Sequence, residues 1–213
     1  MNLLASSSAD DLSDEFCLGL TPLQYAAKTN GATISVLLGV GADPKLPHKS
    51  TGTTPLMFAS RSGDVDAVET LLGVLKVDDV DVVDEHGATA LGLCSLTCNA
   101  KVAKSLISAG ADVFKPDSSG NSPLHVGAFY CSEALGEQFA NTLLEHDPTK
   151  TRQFINMMSI YGRTALMLAA KQGNFAYYDA LTSHGADEEI ISSYDKKTVQ
   201  DFKLEYHSQV HDL

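Results

Sequence analysis

The sequence is poor in positive charge, and this argues against one broad class of partner. It has 15 lysines and arginines against 27 aspartates and glutamates, which gives a formal net charge of −12. No run of consecutive Lys or Arg residues is longer than two. Because contacts to phosphates need clustered Lys and Arg side chains, we expect that the protein does not bind nucleic acid.

Cysteines and long apolar segments are also scarce. Four cysteines in 213 residues are too few for a small secreted domain held together by disulfides. No apolar run approaches the ~20 residues that a membrane-spanning helix needs, and the first residues lack the basic start and apolar stretch of a signal peptide. We therefore expect a cytoplasmic protein, with the nucleus as the alternative, that does not bind membranes.

The sequence does contain one short motif that occurs five times. It consists of Gly, any residue, Thr or Ser, Pro or Ala, and Leu. The Thr or Ser residues of successive copies lie 33, 35, 33 and 42 positions apart. A period near 33 residues is typical of architectures built from stacked repeats. The copies, numbered one to five below, begin at Gly19, Gly52, Gly87, Gly120 and Gly162.

Each position of the motif has a structural interpretation. The Thr or Ser hydroxyl can accept a backbone N–H of a first helical turn, and Pro at the next position suits the first helical residue. The Leu that follows is predicted to point inward, and a small residue three positions later lets neighbouring helices approach closely. Gly63 and Gly173 can end this first helix in the left-handed conformation. A second amphipathic helix follows, most clearly where Val65, Val68, Leu71 and Leu72 recur at helical spacing.

This pattern resembles the ankyrin repeat family. The resemblance rests on the sequence Ser-Pro-Leu-His at Ser122 to His125 and on Gly-Ala-Asp after the second helix at Gly41, Gly110 and Gly185. It implies an all-α solenoid of stacked helix pairs connected by short hairpin-like loops. Copy four departs from the pattern because it is about nine residues longer, and the extra residues lie between Ser132 and Asn156, in a longer second helix, a longer loop or both.

The chain is accordingly divided into three parts. An acidic segment at the N-terminus is expected to be frayed, five repeats follow, and a partial capping repeat with a tail completes the chain. The predicted ranges are 1–15 for the first segment, 16–197 for the array with copies at about 19–51, 52–86, 87–119, 120–161 and 162–195, and 198–213 for the cap and tail.

Two cysteines stand where other copies have the helix-ending Gly. Cys98 and Cys131 are equivalent positions of adjacent copies, and neighbouring helices lie roughly 10 Å apart. Since a disulfide needs Cα atoms within about 7 Å, both are predicted to be buried free thiols, as is Cys94. A zinc site is the alternative, but the spacing of these cysteines is not the usual paired one.

No catalytic, cofactor-binding or metal-binding residue is predicted. His125 beside Ser122 could act as a general base, but the resemblance favours a structural histidine bonded near the helix cap. The family resemblance implies non-catalytic recognition of another protein, as a scaffold, adaptor or regulator, by a monomer using its concave surface of loops and first helices. The alternatives are a substrate or regulatory subunit that docks a kinase, ligase or hydroxylase, and a pathogen effector that mimics an adaptor.

The resemblance also places candidate contact residues on the ends of the first helices and on the loop tips. Copy four is unusual because it offers aromatic and Met side chains there, of types that anchor protein interfaces; burial as local core is the alternative, above all for one of the two methionines. The resemblance also places Asn156 at a loop position where many ankyrin repeats carry an asparagine, and in that family this asparagine can be hydroxylated. The candidate contact residues are Lys28, Arg61, Asp84, Glu85, His86, Phe129, Tyr130, Met157, Met158, Ile160 and Tyr161.

Overall fold

The computed structural model describes residues 19–29 and 31–211, without the side chains of 210 and 211. The predicted N-terminal segment 1–15 and Cys17 lie outside these residues. The described chain forms helices connected by turns. The helices are α1 (Pro22–Thr29), α2 (Ile34–Gly39), α3 (Pro55–Ser62), α4 (Val65–Leu72), α5 (Val77–Val80), α6 (Ala90–Cys94), α7 (Ala100–Ser108), α8 (Pro123–Tyr130), α9 (Glu133–Leu144), α10 (Pro148–Phe154), α11 (Ala165–Gln172), α12 (Phe175–Ser183) and α13 (Val199–His211).

The helices are arranged in two parallel rows. The inner row consists of the first helix of each copy, where α1, α3, α6, α8, α11 and α13 each contact the next. The outer row consists of α2, α4, α7, α9 and α12, which are likewise in contact in that order. This is the predicted all-α solenoid of stacked helix pairs.

The repeated motif starts the inner helices as the sequence predicts, except that in copy four the Ser122 hydroxyl bonds to the ring of His125 and not to a backbone N–H. The hydroxyl oxygen of Thr89 accepts the Gly92 N–H at 3.1 Å, and Thr54 and Thr164 cap α3 and α11 in the same way. The motif leucines form a continuous buried spine, each at most 2% exposed, and burying such a side chain stabilises the fold by roughly 1.5–3 kcal/mol. These leucines are Leu23, Leu56, Leu91, Leu124 and Leu166.

The loops between copies are tight turns that bond to one another. Glu85 N–H donates to the Thr51 carbonyl at 2.9 Å, and Ser118 N–H donates to the His86 carbonyl at 2.9 Å. Ile160 continues this ladder to the loop before it. Glycine is required at Gly87, because φ is 73° and a Cβ atom would lie 2.7 Å from the Ser118 nitrogen of the next loop. The predicted hairpin-like loops therefore stack as the helices do.

The prediction of free thiols is wrong for two of the cysteines. Cys98 and Cys131 form a disulfide, and their Cα atoms are 5.5 Å apart. The helix spacing used for that prediction does not apply, because both residues lie beyond the ends of α6 and α8. Cys98 is in the left-handed region with φ of 53° and Cys131 is extended, so the two backbones converge. Cys94 is the free, buried thiol, and burial raises its pKa to about 12.

The extra residues of copy four form both a longer helix and an additional one. Helix α9 has 12 residues, whereas α4 has eight. Helix α10 follows it, and the Thr151 hydroxyl donates to the Leu144 carbonyl at 2.8 Å, which ties α10 to the end of α9. The rings of Phe154 and Phe114 lie 5.5 Å apart, so α10 packs on the loop of copy three.

The far end of the array is covered by a single helix. Val199 and Phe202 of α13 are at most 1% exposed and pack against α11, where a further copy would otherwise lie. Arg163 in the loop before α11 forms an ion pair with Asp195 at 2.5 Å. The buried face of α13 thereby shields the last interface of the stack from water.

Candidate functional site

The inner helices carry a row of apolar side chains, and the stack leaves the first four of them partly accessible. The row is formed by the residue four positions after each capping Thr or Ser. Its first member is 45% exposed, the next three are half-buried and the last is 9% exposed. Sequence reasoning missed this row, although its signal is a large apolar residue at the same position of every copy. The members are Tyr25, Phe58, Leu93, Val126 and Leu168.

A first cleft of about 250 Å³ opens over this row between α1, α3 and α6 and the facing loops. Phe58 and Leu93 form its apolar floor, and Lys28 and Arg61 stand on the helix side. Asp84 stands on the loop side. The remaining lining residues are Leu20, His48, Thr51 and Thr53.

A second cleft of about 100 Å³ continues the first towards copy four. Leu93 belongs to both clefts, and Leu96 and Val126 complete the apolar side of the second. Its loop side carries Lys115 and Asp117. We refer to the two clefts together as the groove. The other residues that line the second cleft are Ala88, Thr89, Gly92 and Asn121.

The charged side chains of the groove differ in whether they bond to other groups of the protein. One carboxylate oxygen of Asp84 accepts the N–H groups of His86 and Ala88, both at 2.9 Å, and so shapes its own loop. Asp117 does the same one copy later. Lys28 and Arg61 are exposed, and neither forms an ion pair with another described residue. Lys115 donates to the Asp81 carbonyl at 2.7 Å, so Lys28 and Arg61 are the groove charges that the fold leaves available.

The structure brings some of the predicted contact residues together in the first cleft, namely Lys28, Arg61 and Asp84. Glu85 and His86 follow Asp84 in the same loop, where both are exposed and Glu85 Oε1 lies 3.6 Å from His86 Nε2. Neither of these two residues lines the groove.

The predicted copy-four residues form two clusters. Phe129 and Tyr130, 43% and 58% exposed, are in edge-to-face contact at 4.9 Å at the C-terminal end of α8. The second cluster lies in the loop before α11 and consists of the exposed residues Met158, Ile160 and Tyr161. Because that loop bonds to the loop before α8, the clusters are separated by the length of α8, about 12 Å. Met157 is half-buried and packs against the core.

His125 has a structural role, in agreement with the sequence interpretation. It is 2% exposed, and its Nδ1 lies 2.9 Å from the Ser122 hydroxyl. Its Nε2 faces the carbonyls of Met157 and Arg163 at 3.0 and 3.2 Å. Burial lowers the pKa of His125, which keeps the ring neutral. Gln24 makes the equivalent pair of bonds in copy one, to Thr21 and to Leu46. The side chain three residues after the capping Thr or Ser thus links the helix cap to the loop that follows in both copies.

Asn156 also makes a bond between copies. Its side-chain oxygen accepts the Asp187 N–H at 2.9 Å. Asp81 occupies the equivalent position of copy two and accepts the Asp112 N–H at 2.9 Å. Burial raises the pKa of Asp81, whose second carboxylate oxygen is buried and, within the described structure, has no hydrogen-bond partner.

The described residues also bear on membrane spanning and metal binding. None of the helices there is long and apolar enough to span a lipid bilayer. In the same part of the chain, no group of three or more His, Cys, Asp or Glu side chains is arranged to hold a metal ion.

Comparison with known proteins gives a consistent result. A family model described as ankyrin repeats in three copies matches residues 1–78, and a model of the single ankyrin repeat matches residues 161–193. The chain is 30% identical over 142 residues to mouse inversin, which covers 67% of this chain and 13% of that protein. It is 30% identical over 181 residues to human transient receptor potential cation channel subfamily A member 1, covering 84% of this chain and 16% of the channel protein.

A third relative is the neurogenic locus Notch protein of Drosophila melanogaster, 28% identical over 169 residues, or 79% of this chain and 5% of that protein. The chain thus spans less than a fifth of the length of each of these three relatives. The similarity concerns the repeat array that they share with this chain.

Proposed function

The chain belongs to the ankyrin repeat family, and from this premise we propose that it is a non-catalytic module that recognises another protein through the groove. Proteins of this family are generally protein-interaction modules without catalytic activity. The observation that carries the proposal is the accessible apolar row, of which Phe58, Leu93 and Val126 line the groove. A scaffold, adaptor or regulator would use such a surface.

The stacking of the loops supports this proposal energetically. Because hydrogen bonds join each loop to the next, both walls of the groove are already formed before a partner arrives. Association costs free energy for every segment that has to be ordered, and a pre-formed surface reduces that cost. Tyr and Phe are also enriched at protein interfaces. Phe129 and Tyr130 are exposed on α8 of copy four, one of the two copies that line the second cleft.

Affinity capture with two matched variants tests the proposal. Leu93→Arg places a charge on the floor shared by both clefts, and a folded sample is verified by circular dichroism. Lys101→Glu with Lys104→Glu changes two exposed charges on α7 of the outer row and serves as the control. We expect a partner that the wild type and the control retain and Leu93→Arg loses. A partner retained by Leu93→Arg, or lost by the control, would contradict binding in the groove.

The copy-four clusters are proposed as secondary contacts. Tyr130→Ala and Tyr161→Ala remove one exposed ring from each cluster. If the clusters touch the partner, each substitution weakens capture while the unfolding midpoint stays unchanged. Lost stability with unchanged capture would instead mean that the rings serve the fold.

We also propose that the protein acts as a cytoplasmic monomer, that it binds neither nucleic acid nor membranes, and that the chain divides into the predicted segment, five repeats and cap. The Cys98–Cys131 disulfide bears on the location, because persistent disulfides are rare in the reducing cytosol. Trapping thiols with an alkylating reagent in intact cells, followed by non-reducing peptide analysis, shows whether Cys98 and Cys131 are reduced or disulfide-bonded in the cell. A fully oxidised pair would contradict a cytoplasmic location.

Modification of Asn156 is the second proposal, in which the chain is a substrate of a docked hydroxylase. The side chain is half-buried and bonded to Asp187, so the enzyme would have to displace this loop. Mass spectrometry of the native protein would detect the added oxygen on the peptide that contains Asn156, and an unmodified peptide would remove the proposal.

A further inference from the structure

We propose that the groove takes an extended segment of the partner in which an acidic side chain is followed, at intervals of about three residues, by apolar side chains. The inference rests on the proposed function, and it names the chemistry of the segment that would be bound. It depends on the order of side chains along the groove, which changes from cationic to apolar between copies two and three.

The change occurs at one position of the repeat, seven residues after each capping Thr or Ser. Copies one and two have Lys28 and Arg61 there, whereas copies three and four have Leu96 and Phe129. Lys28 and Arg61 line one cleft and are exposed. A cation in the last turn of a helix also offsets the helix dipole, but that dipole amounts to only about half a charge. Each of the two side chains therefore retains positive charge for a ligand.

The net charge of −12 disfavours an acidic ligand at long range. In physiological salt, however, charges further apart than about 8 Å are largely screened. The ligand then responds to the lining of the cleft, where Lys28 and Arg61 outnumber Asp84. One oxygen of the Asp84 carboxylate already accepts two N–H groups of its own loop. The cleft is thus locally cationic in an acidic protein.

The spacing follows from the stacking distance. Neighbouring inner helices lie roughly 10 Å apart, and an extended chain rises about 3.3 Å per residue. Passing from one copy to the next therefore takes about three residues. An acidic side chain opposite Arg61 places the next contact over Leu93 and Leu96, and the one after it over Val126 and Phe129.

Selection from a displayed library of random peptides tests this inference. The library is selected on the wild type, on the double variant Lys28→Glu with Arg61→Glu, and on the outer-row control Lys101→Glu with Lys104→Glu. All substituted side chains are exposed, so each variant is expected to fold, and circular dichroism verifies this. Peptides that bind the wild type are then measured on Leu93→Arg, which identifies those that occupy the groove.

We expect that groove-binding peptides contain Asp or Glu followed by apolar residues at intervals of about three, in either chain direction. Their affinity should fall by about tenfold or more on the charge-reversed variant, should hardly change on the control, and should weaken as salt is added. Groove-binding peptides without acidic residues, or with affinities that charge reversal leaves unchanged, would overturn the inference while leaving the proposed function intact. If no selected peptide loses binding on Leu93→Arg, the proposed function itself fails.

Discussion

The disulfide between copies three and four gives the most quantitative prediction of this structure. Cys98 and Cys131 are 33 residues apart in sequence. In the chain-entropy account, a cross-link closing a loop of this size restricts the unfolded chain and stabilises the native state by about 4 kcal/mol. For a chain of 213 residues, an unfolding entropy of about 2 cal/mol/K per residue converts this into a loss of roughly 9 °C in the melting temperature on reduction.

The backbone conformation of Cys98 has a second, smaller effect on the free energy of unfolding, which appears in variants without the disulfide. Cys98 has φ of 53°, in the left-handed region that disfavours residues with a Cβ atom. The equivalent residues of copies two and five are Gly63 and Gly173, both with positive φ. Replacing the pair by Cys98→Gly and Cys131→Ser should therefore give a protein about 1 kcal/mol more stable than Cys98→Ser with Cys131→Ser.

Urea unfolding followed by circular dichroism measures both terms. The wild type is compared with and without a thiol reductant, and the Ser double variant is the control, because reductant should not shift its midpoint. Non-reducing digestion with mass spectrometry should recover a peptide containing Cys98 linked to one containing Cys131. The absence of that linked peptide, or an unchanged midpoint of the wild type on reduction, would refute the reasoning.

Three further predictions concern the packing of Gly127, His125 and Phe202. Gly127→Ala should destabilise the fold by about 1–3 kcal/mol despite the better helix propensity of Ala, because a Cβ atom there would lie 2.7 Å from a buried tyrosine oxygen. Gly92→Ala should be neutral or stabilising in the same unfolding assay, because its Cβ atom would lie 3.6 Å from the Thr89 hydroxyl, an ordinary van der Waals contact. For His125 the lowered pKa predicts that stability falls as pH drops below about 6.5, so the wild type should lose more stability than His125→Gln between about pH 7.5 and about pH 5.5. An equal loss would contradict the buried neutral ring. Phe202→Ala should cost about 3–5 kcal/mol by uncovering the end of the stack, whereas Leu204→Ala, at a residue 68% exposed, should leave the midpoint almost unchanged.

The sequence predicts the parts of the fold that depend on local chemistry. A Thr or Ser cap, a following Pro or Ala and an inward Leu define a helix start within a few residues, so Thr54 and Leu56 could be interpreted without knowledge of the rest of the chain. The period then predicts the stack, because each copy has to bury the same Leu against its neighbour. The role of His125 follows from the same local pattern.

The disulfide and the groove are harder to predict because they depend on geometry between copies. The spacing of helix axes says little about Cys98 and Cys131, which lie past the helix ends where one backbone is left-handed and the other extended. Helix α10 lies within the insertion of copy four, and the repeat pattern cannot predict it because the other copies have no equivalent residues. The apolar row has a sequence signal, but Phe58 and Leu93 resemble core residues until the loops are seen to leave them accessible.

The position of the disulfide connects the stability of the array to its proposed binding surface. Cys98 directly follows Leu96 and Thr97, and Cys131 directly follows Phe129 and Tyr130. The cross-link therefore fixes the separation of the two copies that carry the apolar half of the groove. Arg61 has no such link to its neighbouring copy, because Gly63 stands where Cys98 stands one copy later. An exposed charge pair tolerates small displacements, whereas an apolar contact loses roughly a quarter to a half of its dispersion energy over a gap of about 0.5–1 Å. It follows that rigidity is needed most between copies three and four, where the disulfide supplies it.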